Sequence, residues 1–191
     1  MKLHKTVIIS ACIAAFAATP ALANMGELAK EGKGVMMMFG KALKGELKGA
    51  VKAKGFGHAI DVCSVKAPEI REKVSAAKGW TVARASHKLR NPHNAPDAFT
   101  KVVIDDFLAR QAKGEDPKGM VKTAIVEEDG KKVFRMVKAI PTAKLCLNCH
   151  GGDNVKPEVA AILKEHYPED KARGFKEGEM RGVFTLKKVI E

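Results

Sequence analysis

The sequence predicts an α+β domain, in which helices precede and interrupt an antiparallel sheet. Three observations carry that prediction. Apolar residues recur at helical spacing between Met25 and Lys54, two strand-like runs flank Asp129-Gly130, and a further strand-like run, Arg181-Gly-Val-Phe-Thr-Leu-Lys187, lies near the end of the chain.

Taken in order, the chain opens with Met1-Lys-Leu-His-Lys5, an apolar run from Thr6 to Ala18, and Thr19-Pro-Ala-Leu-Ala23. A charged start, a short apolar stretch and a small-residue cleavage site read as a secretory signal peptide over residues 1–23, cut after Ala23. The apolar run is too short to span a bilayer, and no later stretch is long and apolar enough to do so. The mature protein is therefore expected to be exported and periplasmic, with no membrane span. About 168 residues remain, enough for one domain with a real core.

Residues 24–54 come next. Leu28, Val35, Met36, Phe39, Leu43, Leu47, Ala50 and Val51 repeat at helical spacing with lysines between them, which predicts one long amphipathic helix. The run Met36-Met-Met38 reads as adaptable core filling. A helix of this length is also available for a homodimer contact.

Residues 55–191 are read as the main domain. After Gly55-Phe-Gly57 comes the stretch His58 to Ser64, and a fresh helix is expected to start at Pro68-Glu-Ile and to close at Gly79. Trp80 to Arg90 reads as a strand, with Val82, Arg84, Ser86, Lys88 and Arg90 on one face and Ala83, Ala85, His87 and Leu89 on the other. Asn91-Pro-His-Asn-Ala-Pro96 is a turn-rich loop. Asp97 is placed to cap a helix that buries Phe99, Val102, Val103, Phe107 and Leu108 and stops at Gly114. Val121 to Glu127 and Lys132 to Ile140 form a hairpin about Asp129-Gly130, and Pro141 ends it. Pro157 to His166 is a short helix stopped by Pro168.

Between hairpin and short helix lies Lys144-Leu-Cys-Leu-Asn-Cys-His150-Gly-Gly. Two cysteines two residues apart with a histidine directly after the second is the pattern of c-type haem attachment. On one turn, Cys146 and Cys149 can both face a porphyrin edge and add their thiols to the two vinyl groups. His150 is then held where its imidazole can bind the iron as proximal ligand. Gly151 and Gly152 follow, where a side chain would crowd the haem face. A structural zinc site needs four ligands, and no second Cys or His pair stands at similar spacing. A thioredoxin-like motif belongs at the start of a helix after a strand and has no use for the histidine. One covalent haem c is the cofactor these residues imply.

Of the four cysteines, Cys12 leaves with the leader and two are taken by haem. Cys63 remains, as an inert buried residue, a link to another chain or the ligand on the far side of the iron. On a helix, His58 and Cys63 are five apart and point to different faces, so only one reaches a given iron. Chemistry alone leaves them close competitors, with His87, His93 and His166 behind. The cations Arg84, Lys88 and Arg90 either pair with haem propionates or face water. The formal net charge of +12 falls by two once Lys2 and Lys5 are removed, and its lysines are spread rather than clustered, as on a solvated surface. With one Trp and one Tyr, no basic and aromatic interleaving points to nucleic acid.

Cys63-Ser-Val-Lys-Ala-Pro-Glu-Ile70, Arg84-Ala-Ser-His-Lys-Leu-Arg-Asn-Pro-His-Asn-Ala-Pro-Asp97, the hairpin, Cys146-Leu-Asn-Cys-His150-Gly and the closing Gly178-Glu-Met-Arg-Gly-Val-Phe184 together resemble the PAS-like c-type haem family. Members of that family occur as lone exported proteins and as sensory domains. The resemblance covers nearly all of the mature chain. It implies a PAS-like antiparallel sheet with flanking helices round a single haem, with Cys63 as distal thiolate and His150 as proximal imidazole. A thiolate donates strongly to iron and favours the ferric state, so a low reduction potential is expected. Low-potential electron transfer with an unidentified redox partner is then the expected role. A haem-based redox or gas sensor is the alternative, and a peroxidase-type enzyme, which needs an open iron position, ranks below both.

Overall fold

A computed structural model of the chain describes residues 20–191, with the side chains of residues 20–24, Val62 and Cys63 outside the description. The expected leader falls almost wholly outside the described residues. No helix among those described is long and apolar enough to cross a membrane.

The long helix α1 (Pro20–Lys78) runs farther than its periodicity suggested, with one interruption at Lys54 and Gly55. Gly55 has φ +79°, a left-handed conformation that side chains with a Cβ avoid, so a glycine belongs at this bend. The expected fresh start at Pro68 does not occur, because α1 continues straight through it. A proline in a helix loses one donor and crowds the carbonyl four residues back, which bends a helix without necessarily ending it. The turns beyond are held by Ile70 and Val74, which pack into the core.

Leu28, Val35 and Phe39 lie 2–6% exposed against the sheet. Of the methionine run only Met36 packs there, while Met37 and Met38 are 61% and 42% exposed. Neighbours on a helix are about 100° apart, so three in a row cannot share one face.

The sheet is four-stranded and antiparallel, in the order β1-β4-β3-β2, from β1 (Thr81–Ala85), β2 (Val121–Glu128), β3 (Lys131–Pro141) and β4 (Met180–Val189). The last strand therefore sits inside the sheet, between β1 and β3. Val82, Leu186 and Met136 align across three strands and bury themselves under α1, together with Trp80 and Phe134. Ala85, Val183 and Ala139 align likewise and face α2 (Ala98–Ala112), with Ile104, Phe107 and Met120. Each large side chain removed from water in these two layers contributes roughly 1.5–3 kcal/mol.

The β2–β3 hairpin turns on Asp129 and Gly130, both at positive φ (52° and 71°), the geometry that matches strand twist in a two-residue turn. Asp97 caps α2 by accepting from the Thr100 N–H at 2.8 Å. The buried positions of α2 are Thr100, Val103, Ile104 and Phe107. Val102, expected among them, is 69% exposed, since it lies a third of a turn off that stripe.

The strand expected over Trp80–Arg90 stops after five residues. Ser86 ends it: its N–H donates to the Asn94 carbonyl at 3.1 Å, and its hydroxyl sits 2.8 Å from the Arg181 carbonyl while accepting from the Lys88 N–H at 3.1 Å. Lys88 and Arg90 are thus on a loop, where strand alternation no longer sets their direction.

Candidate functional site

A cavity of about 570 Å³ opens between α1 and the segments that follow β1 and β3. α1 supplies an apolar wall through Phe39, Leu47, Phe56, Ala59 and Ile60, from both sides of the bend at Gly55. Leu163 and Tyr167, on and just after α4 (Pro157–His166), close another side. Gly57 lets α4 approach, because a Cβ there would lie 2.6 Å from Ile162 Cδ1.

Opposite α1 stands the Cys-Leu-Asn-Cys-His turn. Lys144–Cys146 forms a tight 3₁₀ turn that leads into the single-turn helix α3 (Leu147–His150). Cys146 and Cys149 are half-buried, form no disulfide among the described residues, and both line the cavity beside His150. Gly151 is required by the chain itself rather than by a neighbouring haem face: a Cβ would meet the Leu147 carbonyl at 2.6 Å. At Gly152 a Cβ would meet nothing within 4 Å.

The segment 170–175 holds the histidine from behind. His150 Nδ1 lies 2.9 Å from the Ala172 carbonyl. A carbonyl only accepts, so Nδ1 carries the proton and the lone pair is on Nε2. The Phe175 ring meets the imidazole edge to face, with centroids 6.2 Å apart, and Phe175 N–H donates to the His150 carbonyl at 3.0 Å. Burial first, and then the charges of Arg90, Arg181 and Arg84, hold the imidazole well below its ordinary pKa, against the pull of the Ala172 carbonyl. The ring is therefore neutral, the form that binds metals.

The polar part of the cavity is cationic. Arg71, Arg84, Arg90 and Arg181 line it, with Asn91, His93 and Asn94, and no Asp or Glu does so among the described residues. Nε of Arg90 and Nε of Arg181 are buried without a hydrogen-bond partner. Arg90 is otherwise well held: its Nη2 donates to the Cys149 carbonyl at 2.6 Å, to Asp170 Oδ2 at 2.9 Å and to the Ala172 carbonyl at 3.2 Å. Its Nη1 faces His150 Nε2 at 3.4 Å.

Cys146, Cys149, His150, Arg84 and Arg90 thus meet at one cavity. Lys88 does not join them; with the strand ended at Ala85, its ammonium donates to the Arg173 carbonyl at 3.3 Å and lies over the Phe175 ring. His58 is absent from the cavity lining, whereas His93 belongs to it. His87 is turned to Phe175, and His166 is 3.0 Å from Asp61. Cys63 lies in α1 between Ile60 and Ala67, both lining residues, and its side chain is outside the described residues. Sequence reasoning missed Arg71, Arg181, Asp170, Ala172 and Phe175. For Arg181 a signal existed, a cation in the otherwise apolar first half of the closing strand, Met180 to Phe184; for the segment 170–175 there was none.

A family model described as Tll0287-like matches residues 10–188. The chain belongs to the Tll0287-like family. A solved structure described as the cyanobacterial heme-protein Tll0287 is similar in fold, with a TM-score of 0.62 and 23% identity, covering 91% of this chain and 98% of that one. Both findings support the resemblance read from the sequence motifs. No match is found among curated protein sequences.

Proposed function

We propose that this member of the Tll0287-like family is an exported protein that holds one haem covalently and serves in low-potential electron transfer. One observation carries the reading: the Cys146, Cys149 and His150 turn lies on the wall of a cavity lined mainly by apolar residues and arginines. The residues fit the group. The volume is within the range of cofactor sites, neither thiol is tied up in a disulfide among the described residues, and the buried, unpartnered Nε atoms of Arg90 and Arg181 suit the carboxylates of haem propionates.

When bound, the haem supplies a one-electron Fe(III)/Fe(II) couple. Cys146 and Cys149 would each add S–H across a vinyl group, leaving two thioethers. His150 would present Nε2 to the iron, its other nitrogen fixed on the Ala172 carbonyl, as metal-binding histidines usually are. The lone pair that Arg90 Nη1 now faces would then serve the metal. Arg84, Arg90 and Arg181 would neutralise propionates, while the α1 wall excludes water from the iron. Cys63 is the proposed distal ligand. It stands three residues after Ile60 and four before Ala67, at helical spacing from two lining residues. The similar solved structure, described as a cyanobacterial heme-protein, supports the same reading.

A sensor is the second reading, favoured by the fact that both sides of the α1 bend line the same cavity. Loss of the Cys63 bond would then be felt along α1. The test is the electron paramagnetic resonance spectrum of the ferric holoprotein beside that of Cys63→Ser. A low-spin thiolate signal that vanishes in the variant supports the ligation; a signal untouched by the substitution removes Cys63 from the iron.

A further inference from the structure

Asp170 lies outside the cavity lining, yet its carboxylate reaches both groups that control His150. Oδ1 accepts from the Ala172 N–H at 2.8 Å. Oδ2 accepts from Arg90 Nη2 at 2.9 Å, in a pair whose side chains are only 9% and 14% exposed. Ala172, fixed in this way, offers its carbonyl to His150 Nδ1 at 2.9 Å and to Arg90 Nη2 at 3.2 Å. Arg90 also ties down the Cys149 carbonyl, one residue before the histidine. Every hydrogen bond that orients the imidazole therefore passes through Asp170 or through a group Asp170 holds.

We propose that Asp170 is a positioning residue for His150: by clamping Ala172 and Arg90 it fixes the Nδ1–H tautomer and aims Nε2 into the cavity. This rests on the proposal that His150 is the iron's proximal ligand. A free imidazole favours neither a fixed ring angle nor a protonated Nδ1, so a bond partner at Nδ1 decides which nitrogen is left to bind metal. A mostly buried carboxylate with two partners on different segments is well suited to hold that bond partner still. Outer partners of this kind change metal affinity or activity by about 10–100-fold when removed.

The inference is tested on the ferrous low-spin holoprotein, by the hydrogen-exchange rate of the His150 Nδ1–H in nuclear magnetic resonance. Asp170→Asn is close in shape and removes the negative charge that pairs with Arg90. Asp170→Ser keeps an acceptor near Ala172 and covers the case in which the first variant does not fold. Faster exchange in the variants, by about tenfold or more, with partial return in Asp170→Glu, is the expected result. An exchange rate equal to wild type, with covalent haem retained, would overturn the inference and leave the haem reading standing. If wild-type protein carries no covalent haem, the functional reading fails. The same Nδ1–H, read on the full chain, then decides the role of Asp170 by itself: exchange faster in the variants upholds it, and equal exchange overturns it.

Discussion

Two cationic regions on opposite faces of the sheet solve the problem of buried positive charge differently. On the α2 side, Arg135 is 1% exposed. Its Nη2 donates to Asp97 Oδ1 and Oδ2 at 2.9 and 2.7 Å and to Thr100 Oγ1 at 3.1 Å, and its Nη1 pairs with Glu128. Lys187 bridges the same two carboxylates, at 3.0 and 3.1 Å. Two cations there meet two anions, all from the protein. At the cavity no lining residue among those described is a carboxylate; Arg90 pairs with Asp170 behind the wall and Arg71 with the neighbouring Glu72 at 3.5 Å. A buried charge left short of partners is costly, so the first region is complete as a structure, while the second keeps the buried Nε atoms of Arg90 and Arg181 open to an anion. Arg135, Arg90 and Arg181 each have an unpartnered Nε; what separates the two regions is the supply of carboxylates.

The two regions should differ most in their response to substitution at Arg135. Arg135→Ala leaves Asp97 and Glu128 facing one ammonium and opens a void, and should cost about 3–5 kcal/mol in urea unfolding. Arg135→Met, which keeps the volume, should cost much less. Arg181→Gln should leave the unfolding midpoint of the haem-free chain unchanged or slightly raised, since it removes an uncompensated cation. In the holoprotein it should lower the reduction potential, because a nearby positive charge favours the reduced iron. A tenfold shift in the one-electron ratio corresponds to roughly 60 mV, and potentiometry measures it.

Acid sharpens the same contrast. At Asp97 burial pushes the carboxyl up, and the Thr100 hydrogen bonds, Lys187 and Arg135 outweigh it, so its pKa lies below the ordinary value. Glu128 is lowered in the same way, with Arg135 and Lys187 outweighing burial. A depressed folded pKa means stability that is fully present above the unfolded carboxylate pKa of about 4 and is lost as pH falls below it. Asp97 is 41% exposed, so solvent screening limits its share to about 1 kcal/mol. Urea midpoints measured between about pH 6 and pH 3 should fall for wild type and fall less for Asp97→Asn. Lys88→Gln should do least, within about 0.5 kcal/mol in stability and with the haem spectrum unchanged.

These regions also mark how far the sequence could be read. The Asp129-Gly130 hairpin, the Asp97 cap and the Cys146, Cys149 and His150 turn were legible, since each depends on residues close in sequence. Pro68 and the strand over Trp80–Arg90 misled, because tertiary contacts decided them: packing of Ile70 and Val74 carried the helix on, and Asn94 and Arg181 drew Ser86 out of the sheet. The hold of Asp170 on Arg90 spans 80 residues and leaves no periodic trace. Arg84 and Arg90 reach the cavity while Lys88 between them does not, a division that alternation along a strand would not make.

The central claim is that Cys146, Cys149 and His150 form a covalent haem site. It is tested most directly by the denatured mass and the pyridine haemochrome spectrum of protein matured with a c-type haem attachment apparatus. The expected result is a mass equal to the mature chain plus one haem, a spectrum typical of thioether-linked haem, and loss of both in the Cys146→Ser, Cys149→Ser double variant. A wild-type mass without haem, or haem retained unchanged by the double variant under denaturing conditions, would contradict it.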